Sequence, residues 1–267
     1  MSDHTSNNEF YDYLVSEYNQ PFSGWDFAYL KDRSVDIHTA HRWDYTATVL
    51  AAMRGVESML DMGTGGGERL ASLQPLPQHT CATEGYAPNV PVARQRLAPL
   101  GITVYEIDDD HHLPFADEQF DLIINRHTSY APREVRRILK SGQRFITQQV
   151  GEQTNRRLHE LLNYAPKGTV YPGAEQKRAW NLDYAVHELQ DAGWRIVEQQ
   201  EDFYTTRYYD VGAIVYYLKA IPWEIPDFSV AKYYDKLIEV DRLIKREGYV
   251  DVLFHQFFIV AQKEDQG

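Results

Sequence analysis

The feature that most constrains this chain is the stretch over residues 59–68, with the sequence MLDMGTGGGE. A short apolar run ends in an acid, passes through a glycine-rich turn and continues into a segment with a helical pattern. Glycine is favoured where a backbone turns tightly or lies against a ligand, because a Cβ atom would clash there. Such a turn also directs free N–H groups and a helix N-terminus toward whatever lies above the strand. The stretch predicts a ligand-holding strand–turn–helix unit or, alternatively, a simple tight connection.

Two common patterns of this kind do not fit the stretch. The dinucleotide pattern G-x-G-x-x-G, counted from Gly63, would need its third glycine at the position of Glu68. The phosphate-binding loop ends in G-K-[ST], and no lysine follows Gly67. The pattern present is D-x-G-x-G-x-G, which resembles motif I of the class I S-adenosylmethionine (SAM) methyltransferases.

Four further landmarks follow in the order and at the spacing of that family. They are TEGY at 83–86, IDDDHHLPF at 107–115, FDLIINRH at 120–127 and ILKSGQ at 138–143, where Gln143 replaces a second glycine. With the glycine-rich stretch they span residues 56–150. The resemblance implies a Rossmann-like α/β fold with a doubly wound, mostly parallel seven-stranded sheet.

The resemblance also implies a cofactor, SAM, and residues that hold it. Glu84 would accept hydrogen bonds from both ribose hydroxyls, and Asp109 would accept from the adenine amino group. The backbone of residues 63–67 would lie against the methionine part, while Asp61 orders the turn or reaches the ammonium through water. The residues expected to bind the cofactor are Asp61, Gly63, Thr64, Gly65, Gly67, Glu84, Gly85, Asp109, Asp110, His111, Asn125 and Arg126.

The end of the predicted strand 120–125 should open on the reacting methyl group, because ligands sit at the carboxyl ends of parallel strands. Asn125, Arg126 and His127 lie there, and only His127 can take a proton near neutral pH. We therefore expect His127 to act as a catalytic base or to orient the acceptor; a purely structural role is equally open. DNA and RNA amino-methylating relatives carry [DNS]-P-P-[YFW] here, and the sequence NRHT does not match. The cytosine C5 enzymes need a nucleophilic cysteine, and Cys81 lies on another predicted strand.

Strand patterns alternate with helical patterns, which predicts βαβ crossovers and a parallel sheet. The predicted strands are 56–62, 80–84, 102–107, 120–125, 144–150, 194–201 and 253–262, and the predicted helices are 9–18, 34–54, 68–73, 90–100, 133–140, 155–163, 180–192, 211–220 and 230–245. We expect N-terminal helices over 1–54 that cover the cleft, a SAM-binding core over 55–202, a helical cap inserted over 203–250 and a last core strand within 251–267. In the leading segment, His38, His41, Arg42, Trp43 and Tyr45 line the substrate side or are solvated.

Composition narrows the class of partner. The net charge is −12, from 27 basic and 39 acidic residues, so a nucleic-acid substrate is disfavoured. No apolar run is long enough for a membrane span, and the polar start lacks a signal-peptide pattern. The single cysteine fits a reducing cytoplasm. The run Asp108–Asp110 with two histidines could suggest a metal site, but adjacent extended residues point to opposite sides, so no metal is expected.

Aromatic residues crowd the predicted cap, at Tyr204, Tyr208, Tyr209, Tyr216, Tyr217, Trp223, Tyr233 and Tyr234. Apolar side chains with polar tips suit a small, partly apolar ligand, although the same residues could simply pack the cap. The expected activity is SAM-dependent methyl transfer to oxygen or nitrogen of a small molecule. An RNA-modifying enzyme would need a basic surface beside the cleft, and a non-catalytic SAM-binding protein would have no room beside the methyl group. The oligomeric state is not predicted.

Overall fold

The computed structural model describes residues 2–23, 26–37, 42–165 and 180–264, with side chains from residue 8 onward. His38 and His41, expected on the substrate side of the cleft, lie outside the described residues.

A single sheet of eight strands runs through the described part of the chain. The strands are β1 (Ser34–Ile37), β2 (Ser58–Met62), β3 (His79–Glu84), β4 (Thr103–Glu106), β5 (Phe120–Arg126), β6 (Leu139–Val150), β7 (Trp194–Tyr208) and β8 (Val250–Lys263). Their spatial order is β1-β7-β8-β6-β5-β2-β3-β4. The strands β6, β5, β2, β3 and β4 are parallel to one another. Strand β8 is antiparallel to both β6 and β7, and β1 is antiparallel to β7. The expected doubly wound α/β architecture is confirmed, with eight strands instead of seven.

Nine α-helices lie within the described ranges. They are α1 (Ser2–Tyr18), α2 (Tyr45–Ala52), α3 (Glu68–Ser72), α4 (Val90–Leu97), α5 (Pro132–Ile138), α6 (Arg156–Leu161), α7 (Leu182–Asp191), α8 (Val211–Ala220) and α9 (Val230–Glu247). Asp44, Asn181, Asp210 and Ser229 begin α2, α7, α8 and α9 as N-caps, because each side chain accepts a hydrogen bond from the N–H three residues on. No helix of the described residues is long and apolar enough to cross a membrane.

The two faces of the sheet bury separate cores. Alternation along β2 sends Met59 into the cluster formed with α2, α3 and α4, and Leu60 into the cluster formed with α5 and α7. Both residues are fully buried. The parallel strands are therefore covered on both sides, which leaves their carboxyl ends as the open edge where a ligand can bind.

A third core joins the N-terminal helix to the segment between β7 and β8. Leu14 of α1, Ile214 of α8 and Leu237 of α9 belong to this cluster. Arg33, just before β1, links α1 to the start of α8, because its guanidinium donates to Glu17 of α1 at 2.9 Å and to Asp210, the N-cap of α8, at 2.5 Å. The helices α1, α8 and α9 thus form one helical layer.

Three local predictions were wrong. Residues 34–54 are not one helix, because Ser34–Ile37 pair with the end of β7 and only Tyr45–Ala52 are helical. Strand β7 continues to Tyr208, since β8 and then β1 pair with its second half. The ILKSGQ segment begins β6, with Leu139 registered against Phe120, instead of ending a helix and turning. Each error arises from pairing with a distant strand, which local periodicity does not encode.

Candidate cofactor and acceptor site

The glycine-rich turn connects β2 to α3 in a backbone conformation that is unfavourable for residues with a Cβ atom. Gly63, Gly65 and Gly67 all have positive φ, at 66°, 63° and 82°. A Cβ atom on Gly63 would collide with the side chain of Thr128, from the loop after β5, and one on Gly67 would lie 2.8 Å from Leu97 Cγ. The turn therefore needs glycine both for its φ angles and for the close approach of neighbouring elements.

Glu84, the last residue of β3, is buried and points back at the turn. Its Oε2 accepts from Gly65 N at 2.6 Å, and its Oε1 accepts from Tyr86 N at 2.7 Å. Burial raises the pKa of this carboxyl, while the backbone N–H donors act in the opposite direction. Because each carboxylate oxygen can accept more than one hydrogen bond, Glu84 is oriented but still able to accept from a ligand.

Asp61 and Thr64 lie beneath the turn, beside Glu84. Burial, with a smaller contribution from the nearby Glu84 carboxylate, raises the pKa of Asp61 to about 7. A hydrogen bond from the Thr64 side chain acts to lower the pKa of Asp61, and Thr64 lines the cavity above the turn. Asp61 is therefore a buried acid that lies beneath the cavity beside a hydroxyl group.

The acidic segment after β4 is a hydrogen-bonded turn. Asp109 accepts from His111 N at 2.8 Å and lies 2.9 Å from Nδ1 of His112, and the first of these bonds lowers its pKa most. Asp110 accepts from the Ser129 hydroxyl, and burial raises its pKa. The turn therefore presents Asp110 to the cleft together with the loop after β5.

Asn125 and Arg126, at the end of β5, have different surroundings. The Asn125 side chain is 0% exposed, and its Oδ1 accepts from Thr147 Oγ1 at 2.9 Å and Gln149 Nε2 at 2.6 Å. Arg126 lines the cleft without a hydrogen bond or ion pair to any described residue, and burial lowers its pKa. Asn125 is therefore a buried support, whereas Arg126 is a partly buried cation directed at the cleft.

His127 has a positive φ of 61° and is held by two glutamines. Trp43 Nε1 donates to Gln148 Oε1 at 2.9 Å, so the amide nitrogen of Gln148 faces Nε2 of His127 at 3.0 Å. The amide of Gln256 approaches the same ring nitrogen at 3.3 Å. Because amide nitrogens only donate, Nε2 accepts and the proton of the neutral ring lies on Nδ1. Burial, with the charges of Arg126 and Arg69, lowers the pKa of His127 well below its usual range.

Two adjoining cavities open at this edge of the sheet. The smaller, of about 730 Å³, lies over the glycine-rich turn, and the larger is about 2,000 Å³. They share a boundary formed by Asp108, Asp109, Asp110, Arg126, His127, Thr128, Ser129 and Trp223. A bipartite space of this kind can hold two molecules side by side.

The structure brings most of the expected site residues to these cavities. Asp61, Gly63, Thr64, Gly65, Glu84, Gly85, Asp109, Asp110, Arg126 and His127 line the smaller cavity. His111 lines only the larger cavity, and Gly67 and Asn125 line neither. Of the leading residues, Tyr45 lines the smaller cavity, Trp43 bonds Gln148, and Arg42 lies away from both cavities near Asp202.

Sequence reasoning missed several lining residues. Arg69 of α3, Asn89 before α4 and Thr128 after β5 line the smaller cavity. Thr128 directly follows the NRH segment, and Arg69 lies one residue after the glycine-rich stretch, so proximity in sequence was the available signal. Trp223, named among the aromatic residues of the expected cap, lines both cavities from the segment after α8.

Comparisons with known proteins agree with this geometry. Residues 60–147 match the family model described as "Methyltransferase domain". No curated protein sequence matches the chain significantly. A candidate methyltransferase from Bacillus halodurans shares the fold at a TM-score of 0.58 and 18% identity, over 83% of this chain and 99% of that one.

Two further solved structures share the fold. The YcgJ protein from Bacillus subtilis gives a TM-score of 0.55 at 15% identity, over 83% of this chain and 99% of its own. The [4+2]-cyclase SpnF gives 0.53 at 14% identity, over 97% of this chain and 95% of its own. These identities are low, so the likeness concerns the fold. With the domain match over the glycine-rich turn, β3 and β5, these likenesses support the expected resemblance to the class I SAM-dependent methyltransferases.

Proposed function

We propose that this protein transfers the methyl group of SAM to an oxygen or nitrogen atom of a small molecule. The observation that carries the proposal is the pair of adjoining cavities, one over the glycine-rich turn and one beside it, which meet at Arg126 and His127. The domain match supports SAM as the methyl donor, and the identity of the acceptor is our inference.

The residues of the smaller cavity fit SAM group by group. Glu84, already oriented by Gly65 and Tyr86, would accept from the ribose hydroxyls. The Arg126 guanidinium offers hydrogen-bond donors to the polar end of the methionine part, and Thr64 lines the same space. Asp109 and Asp110 would flank the adenine. We propose Gly67 and Asn125 as supports of this site, because neither lines a cavity.

SAM supplies an activated methyl group on a sulfonium, so the chain needs mainly to align the acceptor and exclude water. Alignment alone can lower a barrier by about 7–11 kcal/mol in favourable cases. The boundary between the cavities is where acceptor and methyl group would meet, and His127 lies there. Because its Nε2 already accepts from two amides, His127 suits the role of a neutral orienting group, and action as a base would require it to release both glutamines.

The rival functions have less support in the geometry. The basic residues that could form an RNA-binding surface are Arg133, Arg136, Arg137, Lys140, Arg156 and Arg157. Three of them are neutralised by ion pairs, since Arg137 pairs with Glu134 and Asp117, Lys140 with Asp121, and Arg157 with Glu160. Arg156 lines the larger cavity. A non-catalytic SAM-binding protein would not need the larger cavity beside the smaller one. The cyclase among the structural neighbours shows that this fold also serves other chemistry, so activity has to be measured.

The test is methyl transfer from SAM labelled in its methyl group. The protein is incubated with mixtures of small amines, phenols and hydroxy acids and, separately, with total RNA. We expect label in the small-molecule fraction. Label in RNA would overturn the assignment of the acceptor, and SAM binding without transfer to either fraction would favour a non-catalytic protein.

A further inference from the structure

Three of the tyrosines that line the larger cavity, Tyr204, Tyr208 and Tyr217, are called here the tyrosine wall. Tyr208 and Tyr217 contact each other with ring centroids 5.8 Å apart, and Tyr204 stacks on Phe254 at 4.7 Å. Aromatic rings carry negative charge on their faces, so a wall of this kind attracts cations as well as apolar groups.

The hydroxyl of Tyr208 distinguishes this wall from ordinary core packing. Tyr208 is only 2% exposed, yet its hydroxyl makes no hydrogen bond with any described residue. Tyr217, beside it, receives a hydrogen bond from Asn155 Nδ2 at 3.0 Å. Burial raises the pKa of Tyr208 well above its usual value, so the phenol stays neutral and can accept a hydrogen bond from a ligand. Because Tyr208 lines the cavity, this hydroxyl is available to hydrogen-bond a polar ligand group there.

The charge around the tyrosine wall is negative. Asp36 and Glu224 line the same cavity, and both carboxylates lie near enough to Tyr208 to raise its pKa further. Glu224 Oε1 lies 2.6 Å from Nε2 of His159, which also lines the cavity. Among the described lining residues, carboxylates outnumber the lysine and arginines, which are Lys31, Arg126 and Arg156. Of these cations, Arg126 lies at the boundary with the smaller cavity.

We propose that the acceptor is a small organic amine, bound as its ammonium ion by the tyrosine wall and by Glu224 and Asp36, and methylated on nitrogen. This proposal rests on the methyltransferase function proposed above and narrows its substrate class. Neutral alcohols would leave the carboxylates without a counter-charge, and carboxylic acids would be repelled by them. The Tyr208 hydroxyl accepts one N–H of the bound ammonium.

The transfer step balances with groups already present. The bound ammonium first gives one proton to the His159–Glu224 pair and becomes a neutral amine. Its nitrogen lone pair then forms a bond to the methyl carbon of SAM, the carbon–sulfur bond breaks, and that electron pair stays on sulfur. The products are a methylated ammonium ion and neutral S-adenosylhomocysteine.

The proposal is tested by calorimetry on the full chain saturated with S-adenosylhomocysteine. Three probes of similar size and different charge are titrated: phenethylamine, 2-phenylethanol and 3-phenylpropanoate. We expect phenethylamine to bind about tenfold or more tightly than either of the others, the order of effect that a partly desolvated cation–aromatic contact gives. Equal or tighter binding of the alcohol or the carboxylate, or binding of none of the three, would overturn it.

Variants locate the effect and separate the two proposals. Glu224→Gln and Tyr208→Phe should each reduce the preference for the amine, whereas Glu247→Gln, an exposed residue at the end of α9 that does not line the cavity, should not. An unchanged preference in both cavity variants would contradict the assignment. If the wild-type protein does not bind S-adenosylhomocysteine, the proposed function itself is contradicted. A variant that still binds S-adenosylhomocysteine has kept its fold.

Discussion

At the scale of single residues, the sequence predicted where the site residues lie better than it predicted their protonation and burial. The pattern around His127 placed it at the cleft, but its tautomer depends on Trp43, Gln148 and Gln256, which come from three separate parts of the chain. No local sequence pattern encodes that arrangement. The position of Glu84 at the cavity was foreseeable from the TEGY motif, whereas the FDLIINRH motif gave no sign that the Asn125 side chain is buried.

The first prediction concerns the pH dependence of His127. Its pKa is lowered in the folded state, so from about 6.5 downward the unfolded chain takes up a proton that the folded chain does not. Its contribution to stability is therefore lost as pH falls below about 6.5, by at most about 1.4 kcal/mol per pH unit. Urea unfolding at pH 5.5 to 7.5 should show a weaker pH dependence in His127→Gln than in wild type. A control, His187→Gln on the exposed side of α7, should not differ from wild type.

The second prediction concerns turnover. If His127 only orients the acceptor, His127→Ala should keep its affinity for SAM, and wild-type turnover should not follow a histidine titration between pH 6 and 7. If it is a base, turnover should fall by about 10²–10⁴-fold in His127→Ala. Rate measurements with an identified acceptor distinguish the two, and full turnover in His127→Ala would show a structural residue.

At the scale of elements, motifs and periodicity predicted the parallel strands of the core well, but they predicted poorly the strands and strand ends at the antiparallel side of the sheet. Helix α8 has the predicted bounds, because its cap residue Asp210 and its apolar face are local signals. Strand β1 was missed because four residues are strand only through pairing with Tyr208 and its neighbours. The glycine-rich turn was foreseeable, since positive φ at Gly63 and Gly65 is a demand that only glycine meets readily.

The third prediction tests that turn with a matched pair of substitutions. Gly63 and Gly55 both have positive φ, so alanine at either position is strained by about 1–2 kcal/mol. Only at Gly63 would the new Cβ also strike Thr128, whereas at Gly55 nothing lies within 4 Å. Chemical denaturation should show the larger loss of stability for Gly63→Ala, and calorimetry should show weaker S-adenosylhomocysteine binding for that variant alone. Equal behaviour of the two variants would argue against close packing at the turn.

At the scale of the whole molecule, the helical layer of α1, α8 and α9 is joined to the sheet through Arg33, Glu17 and Asp210. The division of the chain into leading helices, core and cap stays a prediction. The segment after α8 supplies lining residues of the larger cavity, among them Trp223 and Glu224, so this layer is placed to influence which acceptor binds.

The fourth prediction concerns that junction. Arg33→Ala leaves the buried Glu17 carboxylate without its cation, which we expect to cost about 1.5–3 kcal/mol. Hydrogen exchange should rise in α1 and α8 while β2 and β5 keep their protection. Arg54→Ala, at an exposed arginine after α2, serves as the control. If hydrogen exchange rises equally in the helices and in the strands of the sheet, the helical layer of α1, α8 and α9 does not open independently of the sheet.

Glu84 as a ligand of the cofactor is the assignment on which the proposed function most depends, and one titration tests it directly. Glu106 of β4 is registered beside Glu84 but is exposed and lines neither cavity, so Glu106→Ala is a matched control. In calorimetric titrations with S-adenosylhomocysteine, Glu84→Ala should weaken binding by about 1.5–3 kcal/mol, and Glu106→Ala should bind like wild type. Unchanged affinity in Glu84→Ala, or wild-type protein that binds NAD more tightly than S-adenosylhomocysteine, would contradict the account.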